Sequence, residues 1–257
     1  MSDSVGVKLS NVSKTYGDVR AVVSLSLEIE SGQVYGLLGP NGSGKTTVLK
    51  MIMGLVKPDS GEITVDGLAL RDDPRNYKRG LGYVSDPPMI YEYLTGLEYL
   101  DFVSRVYGVD DAAKERRIRE FLKAFELEGR ENDIVNGYSH GMKQKVAIIG
   151  AVLHRPRVLV MDEPLGGLDP KSARIVKDLL GRLASEGSTI VLSTHALEIA
   201  DALCDRLCVL HRGAKIAEGT PAEIHSLASN PGSSLEDVFL ELTEVSGIDD
   251  IVDALAK

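Results

Sequence analysis

The sequence predicts an α/β fold in three parts: a core of parallel strands covered by helices, an antiparallel β subdomain from the N-terminal strands, and an inserted helical lobe near residues 87–150. A glycine-rich loop at residues 39–46 lies between a short apolar run and a helical pattern. Strand and helix patterns alternate through the second half, as they do where helices cover a parallel sheet. From about Thr95 to Leu127, Glu, Lys, Arg, Leu and Tyr dominate, with helical spacing at Ile118, Leu122 and Phe125.

In chain order, Val7 and Leu9, then Val23, Leu25, Leu27 and Ile29, alternate with polar residues as half-buried strands do. Residues 33–38 are an apolar run leading into the glycine loop, and a helix is expected over 45–54. Residues 62–65 read as a strand between Ser60-Gly61 and Asp66-Gly67 turn signals. A glycine- and serine-bearing loop at 136–141 closes the helical lobe, and a helix from Met142 to Leu153 returns the chain to the core. There follow a strand at 158–161, a helix at 170–184, a strand at 189–193 and a helix at 196–203. A hairpin is expected around Arg212-Gly213. Asn230-Pro231-Gly232 separates the main domain, 1–230, from a short tail, 231–257, with two runs of helical spacing.

A formal net charge of −9 without any block of basic residues argues against a nucleic-acid partner and against polybasic attachment to lipid, though totals leave a local patch open. Membrane association is therefore expected through a protein partner. Cys204 and Cys208 are too few for a disulfide scaffold and read as free thiols of a reducing compartment. No secretory segment is apparent, and the longest apolar run, 146–153, is far short of the roughly 20 residues that span a bilayer.

Gly39-Pro40-Asn41-Gly42-Ser43-Gly44-Lys45-Thr46 fits the pattern G-x-x-x-x-G-K-[ST]. The glycines let backbone amides approach the β- and γ-phosphates, Lys45 brings positive charge to the same oxygens, and Thr46 offers a hydroxyl to magnesium. Thr47 continues into a helix whose dipole adds to the attraction for phosphate. A chance glycine turn would lack the strand before it and the helix after it, so nucleotide binding is the reading.

Val158-Leu159-Val160-Met161 is a buried strand ending in Asp162 and Glu163. It delivers Asp162 to a C-terminal edge, where magnesium on the phosphates would sit, and leaves Glu163 to polarise the attacking water. Many strands end in acidic loops; the phosphate loop upstream favours the catalytic reading. His195 closes a further apolar strand. A lone histidine at a strand end is more often structural, but this strand would share the sheet and present the same edge.

These segments together resemble the ATP-binding subunits of ABC transporters, from about residue 5 to residue 225. The resemblance implies a P-loop ATPase core with ATP and Mg2+ as ligands. It gives Tyr16 the role of stacking on adenine and Ser139-His140-Gly141-Met142 that of a signature facing the ATP of the opposite subunit. Asp169 becomes part of a loop touching the dimer partner, and His195 the switch that senses the γ-phosphate. Hydrolysis would use magnesium on Thr46 and Asp162, water oriented by Glu163, and charge stabilisation from Lys45 and His195. The signature reads Tyr-Ser-His-Gly-Met where the family more often has Leu-Ser-Gly-Gly-Gln, and Asp86 stands where a glutamine usually contacts the metal. Both departures resemble bacterial exporter variants. The partners implied are a transmembrane permease subunit and a paired ATPase, identical or not, with the chain peripheral on the cytoplasmic face of the membrane. A regulatory ATPase not coupled to a membrane and an importer ATPase are the alternatives.

Overall fold

A computed structural model gives the structure of residues 4–227, so the helical pattern expected for 231–257 lies outside the described residues. The N-terminal alternation belongs to two long strands, β1 (Val5–Tyr16) and β2 (Val19–Glu30), paired antiparallel. Val7, Leu9 and Val12 face Val22, Leu25, Leu27 and Ile29 in the core, while Lys8, Glu28 and Glu30 remain exposed. β4 (Ser60–Val65) pairs with the free edge of β1, and β5 (Leu68–Ala69) completes a sheet of order β2-β1-β4-β5.

The second sheet contains β3 (Val34–Leu38), β6 (Leu81–Val84), β7 (Val158–Asp162), β8 (Thr189–Thr194), β9 (Arg206–His211) and β10 (Ala214–Gly219). Their spatial order is β10-β9-β3-β8-β7-β6, parallel throughout except for the β9–β10 hairpin. β3, β7 and β8 are buried along their whole length, which is why they read as unbroken apolar runs. Successive β7 residues enter different cores. Val158 and Val160 pack with α1 (Lys45–Ile52) and the N-terminal strands, whereas Leu159 and Met161 join the helices of the opposite face.

Those helices are α5 (His140–Val152), α6 (Pro170–Ser185) and α7 (Leu197–Leu203). The lobe contributes α3 (Gly96–Tyr107), started by a capping box between Thr95 and Glu98, and α4 (Asp111–Ala124), capped by Asp110. Leu100, Ile118, Leu122, Phe125 and Tyr138 share one core with α5 and the sheet residues Val84, Leu159 and Met161, so the lobe packs onto the main domain through α5. Burying each such aliphatic side chain contributes about 1.5–3 kcal/mol.

Helix α5 begins at His140, two residues before the expected Met142, because Ser139 is its N-cap and accepts from the Met142 amide at 3.3 Å. Strand β6, helix α2 (Pro74–Arg79) and helix α8 (Pro221–His225) have no counterpart in the sequence reading. β6 is four residues long and interrupted by Gly82, too short for a period to show. Cys204 and Cys208 are free and buried, and burial pushes both thiols up to about 12, outside the reactive range.

Candidate active site

The sheet order explains how distant motifs meet. β3, β8 and β7 are neighbours, so the loop after β3, His195 after β8 and Glu163 after β7 emerge side by side at one C-terminal edge. Asp86, just beyond β6, joins from the far side of β7. A cleft of about 340 Å³ there is lined by Asn41, Gly42, Ser43, Gly44, Lys45, Thr46 and Thr47, with Asp86, Asp162 and Glu163 opposite them. Val19 and Ala21 of β2 form its remaining wall.

The loop is built for an anion. Gly44 has φ +107°, and a Cβ there would stand 2.3 Å from the Ala21 carbonyl oxygen, so the close approach of β2 admits only glycine. The Ser43 hydroxyl is buried with no hydrogen-bond partner, a polar group that a phosphate oxygen would satisfy. The Lys45 ammonium is buried and donates to the carbonyls of Gly39 at 2.7 Å and Pro40 at 3.2 Å. Burial pushes its pKa down, while the charges of Glu163 and Asp162 act in the opposite sense.

Asp162 is 4% exposed and fully engaged. Thr46 Oγ1 donates to its Oδ2 at 2.7 Å, and Ser193 donates to its Oδ1. A carboxylate, a hydroxyl and a neighbouring carboxylate, Asp86, are hard oxygen donors facing the phosphate loop. Such a set fits Mg2+, which takes few protein ligands and completes its shell with phosphate and water.

Glu163 departs from strand geometry, with φ +45° in the left-handed region that glutamate rarely enters. Its amide donates to the Ser193 carbonyl at 3.2 Å and lies 3.3 Å from the Ser193 hydroxyl, which holds the turn. The side chain then meets His195, Nδ1 to Oε1, at 2.7 Å. Ser193 thus organises both acids, a role sequence reading missed. The signal was two polar residues, Ser193 and Thr194, ending an otherwise apolar strand ahead of His195.

Tyr16 lies outside the lining but pairs across the hairpin with Val19, at the rim, and is 47% exposed. The residues Ser139–Met142 take no part in the cleft. They lie against the turn that follows Glu163, where a Cβ on Gly141 would stand 2.6 Å from the Gly167 carbonyl oxygen. Gln144 donates to the Pro164 carbonyl at 3.1 Å, and Lys145 pairs with Asp169 at 2.8 Å. Asp169 also caps α6 through Ser172; the Lys145 hydrogen bond, followed by those from Ser172, holds its carboxyl well below the usual range.

A buried cationic loop facing two acids can seat a polyphosphate and direct water at its outer phosphorus, which places the protein among phosphate-loop nucleotide hydrolases. A family model described as ABC transporter matches residues 22–166, and the chain belongs to that family as an ATP-binding, ATP-hydrolysing subunit. It is 40% identical over 218 residues to the Nod factor export ATP-binding protein I of Rhizobium etli, covering 85% of this chain and 69% of the relative. It is 35% identical over 221 residues to the ABC-type transporter ATP-binding protein EcsA of Bacillus subtilis, covering 86% and 90%. Among solved structures, an ATP binding subunit of an ABC transporter superposes with a TM-score of 0.87 at 35% identity, covering 92% of this chain and 99% of that one. The ATP-binding cassette MJ0796, a dimer in a post-hydrolysis state bound to ADP and Pi, gives 0.76 at 32% identity, covering 84% and 98%.

Proposed function

We propose that the chain is the motor subunit of an exporter, working as one of a pair of ATPases beneath a transmembrane permease on another polypeptide. The observation that carries the hydrolytic part is the convergence of Lys45, Thr46, Asp162, Glu163 and His195 on one cleft edge. The export part is supported by relatives named for Nod factor export.

Thr46 and Asp162, with Asp86 beside them, would hold magnesium, which neutralises charge on the phosphate oxygens when bound. The loop amides and the Ser43 hydroxyl seat the phosphates, and Lys45 exchanges its carbonyl partners for phosphate oxygens. Glu163 orients the water, and His195 fixes that carboxylate while its exposed ring reaches toward the γ-phosphate. Ser139, His140, Gly141 and Met142 line no part of the chain's own cleft, which supports their serving the ATP of a second subunit. Ser139 spends a lone pair on capping α5 and keeps its O–H to donate.

Among the described residues no helix is long and apolar enough to cross a membrane. In this reading the permease holds the chain at the inner membrane face. Met89, Tyr91 and Tyr93, 82%, 59% and 94% exposed, follow Asp86 directly, and Tyr91 meets the half-exposed Phe102 edge-on at 5.4 Å. This apolar surface next to the cleft supports docking of the permease there. The decisive experiment compares ATPase activity of the chain alone and reconstituted with the polytopic membrane protein that co-purifies with it. Stimulation by that protein is expected; a rate indifferent to it would favour a regulatory ATPase uncoupled from membranes.

A further inference from the structure

On the side of the central sheet away from the nucleotide, Arg79, Arg155 and Arg157 converge on a concavity of about 370 Å³ whose other walls are Leu68, Asn76 and Gly80. We propose that this concavity is a second phosphate-binding site, taking a phosphomonoester or phosphodiester group. It lies at the N-terminal ends of β6 and β7, where Leu81 pairs with Val158, whereas ATP belongs at their C-terminal ends. The site is independent of the hydrolytic reading.

The guanidinium of Arg157 is seated rather than loose. Its Nη1 donates to Asp66, and its Nε and Nη2 lie 2.9 Å from where a Cβ on Gly80 would stand, so that glycine leaves the space the group occupies. Asp66 answers one cation only. The side chains of Arg79 and Arg155 have neither a hydrogen bond nor an ion pair among the described residues, the Arg155 amide alone donating to the Val152 carbonyl. Arg117 adds a further cation nearby, anchored on the Leu153 carbonyl at 2.5 Å. Burial, then the charges of Arg155 and Arg116, pushes Arg117 below the usual guanidinium range. In a chain of net charge −9, uncompensated like charges are gathered at one place, and a bound anion relieves their repulsion.

Geometry selects the anion. A carboxylate satisfies one guanidinium fork, whereas the tetrahedral oxygens of a phosphate accept from two forks at once. The rim continues into the end of α3, where Val106 is 60% exposed and a Cβ on Gly108 would lie 3.6 Å from Arg79 Nη2. A lipid headgroup with its apolar neighbourhood fits that rim, and so does a free phosphate; the chemistry recognised is the same. The positions are spread over the sequence, which is why no basic run announces them.

The test compares the parent with Arg79→Gln/Arg155→Gln and with a control, Arg174→Gln/Arg182→Gln, which removes two exposed cations from α6. ADP saturates the phosphate loop throughout. In one arm inorganic phosphate is titrated and the amide resonances of Gly80 and Arg157 are followed; in the other, flotation with phosphatidylcholine vesicles is measured with and without phosphatidylglycerol. Phosphate should shift both amides in the parent and the control, with affinity falling about twenty-five-fold in the arginine double variant, roughly five-fold per cation. Flotation with phosphatidylglycerol vesicles, lost in the same variant only, assigns the site to a headgroup, and a response to phosphate alone assigns it to the free anion. No response of parent protein in either arm, or equal loss in the control, overturns the site.

Discussion

The imidazole Nδ1 of His195 stands 2.7 Å from Glu163 Oε1, a contact between the ends of two adjacent strands. It fixes the carboxylate that the left-handed turn at Glu163 has already swung out of the strand. Glu163→Gln should leave ATP affinity unchanged and reduce turnover by roughly 10²–10⁴-fold, the usual contribution of a general base. Steady-state hydrolysis and nucleotide binding measured on the same preparation check this. Parent-like turnover would give the water to another group. Size exclusion with ATP should show a stable dimer in this variant.

Tyr16 pairs with Val19 at the cleft wall, and stacking on the base is the role proposed for it. Tyr16→Ala should weaken ATP by about 1–3 kcal/mol, by analogy with base–aromatic stacking, and leave pyrophosphate affinity unchanged. Equal ATP affinity in the two proteins would reduce Tyr16 to a structural residue of the hairpin.

Asp86 is held toward the cleft by Ser85, whose hydroxyl accepts from the Met89 amide at 3.0 Å and donates to the Pro87 carbonyl at 2.9 Å. A carboxylate attracts a hard cation more strongly than an amide oxygen does. Asp86→Gln should stay folded and active but need more magnesium for half-maximal hydrolysis. Superimposable rate curves against free magnesium would remove Asp86 from the metal site.

His154 supplies a pH dependence unrelated to catalysis. Its Nε2–H donates to the Leu81 carbonyl at 3.0 Å, its ring stacks on Tyr107 at 3.7 Å, and Nδ1 is buried without a partner. A proton on Nδ1 would bury a donor with no acceptor, and burial pushes the pKa down from 6.5 to about 4. The unfolded chain therefore binds this proton first. Its contribution is complete above about pH 6.5 and is lost as pH falls toward 4, by about 1–3 kcal/mol. Melting temperature followed over that window should fall less steeply in His154→Phe; parallel curves would assign the slope to other groups.

Much of the site was legible because its signals are local. The loop from Gly39 to Thr46 and the run from Val158 to Glu163 carry their chemistry in consecutive residues. Ser193 was not legible, because its role depends on the register that sets it opposite Asp162. The Lys145–Asp169 pair and the fit of Gly141 against Gly167 likewise join segments more than twenty residues apart, which no periodicity encodes. β5, α2 and β6 escaped for a different reason: the longest, α2, has six residues and rests on Asp73 and Pro74 at its start.

The seating of Gly141 on the Gly167 carbonyl, reinforced by Gln144 and Lys145, has a mechanical consequence for a pair of such subunits. Each ATP would be enclosed by the acid turn of one chain and the head of α5 from the other. Within each chain those two parts are packed back to back, so a shift at one cleft would turn the lid of the other. Such a pair would behave as meshed gears: neither cleft would open without moving its twin, and one stalled subunit would brake both.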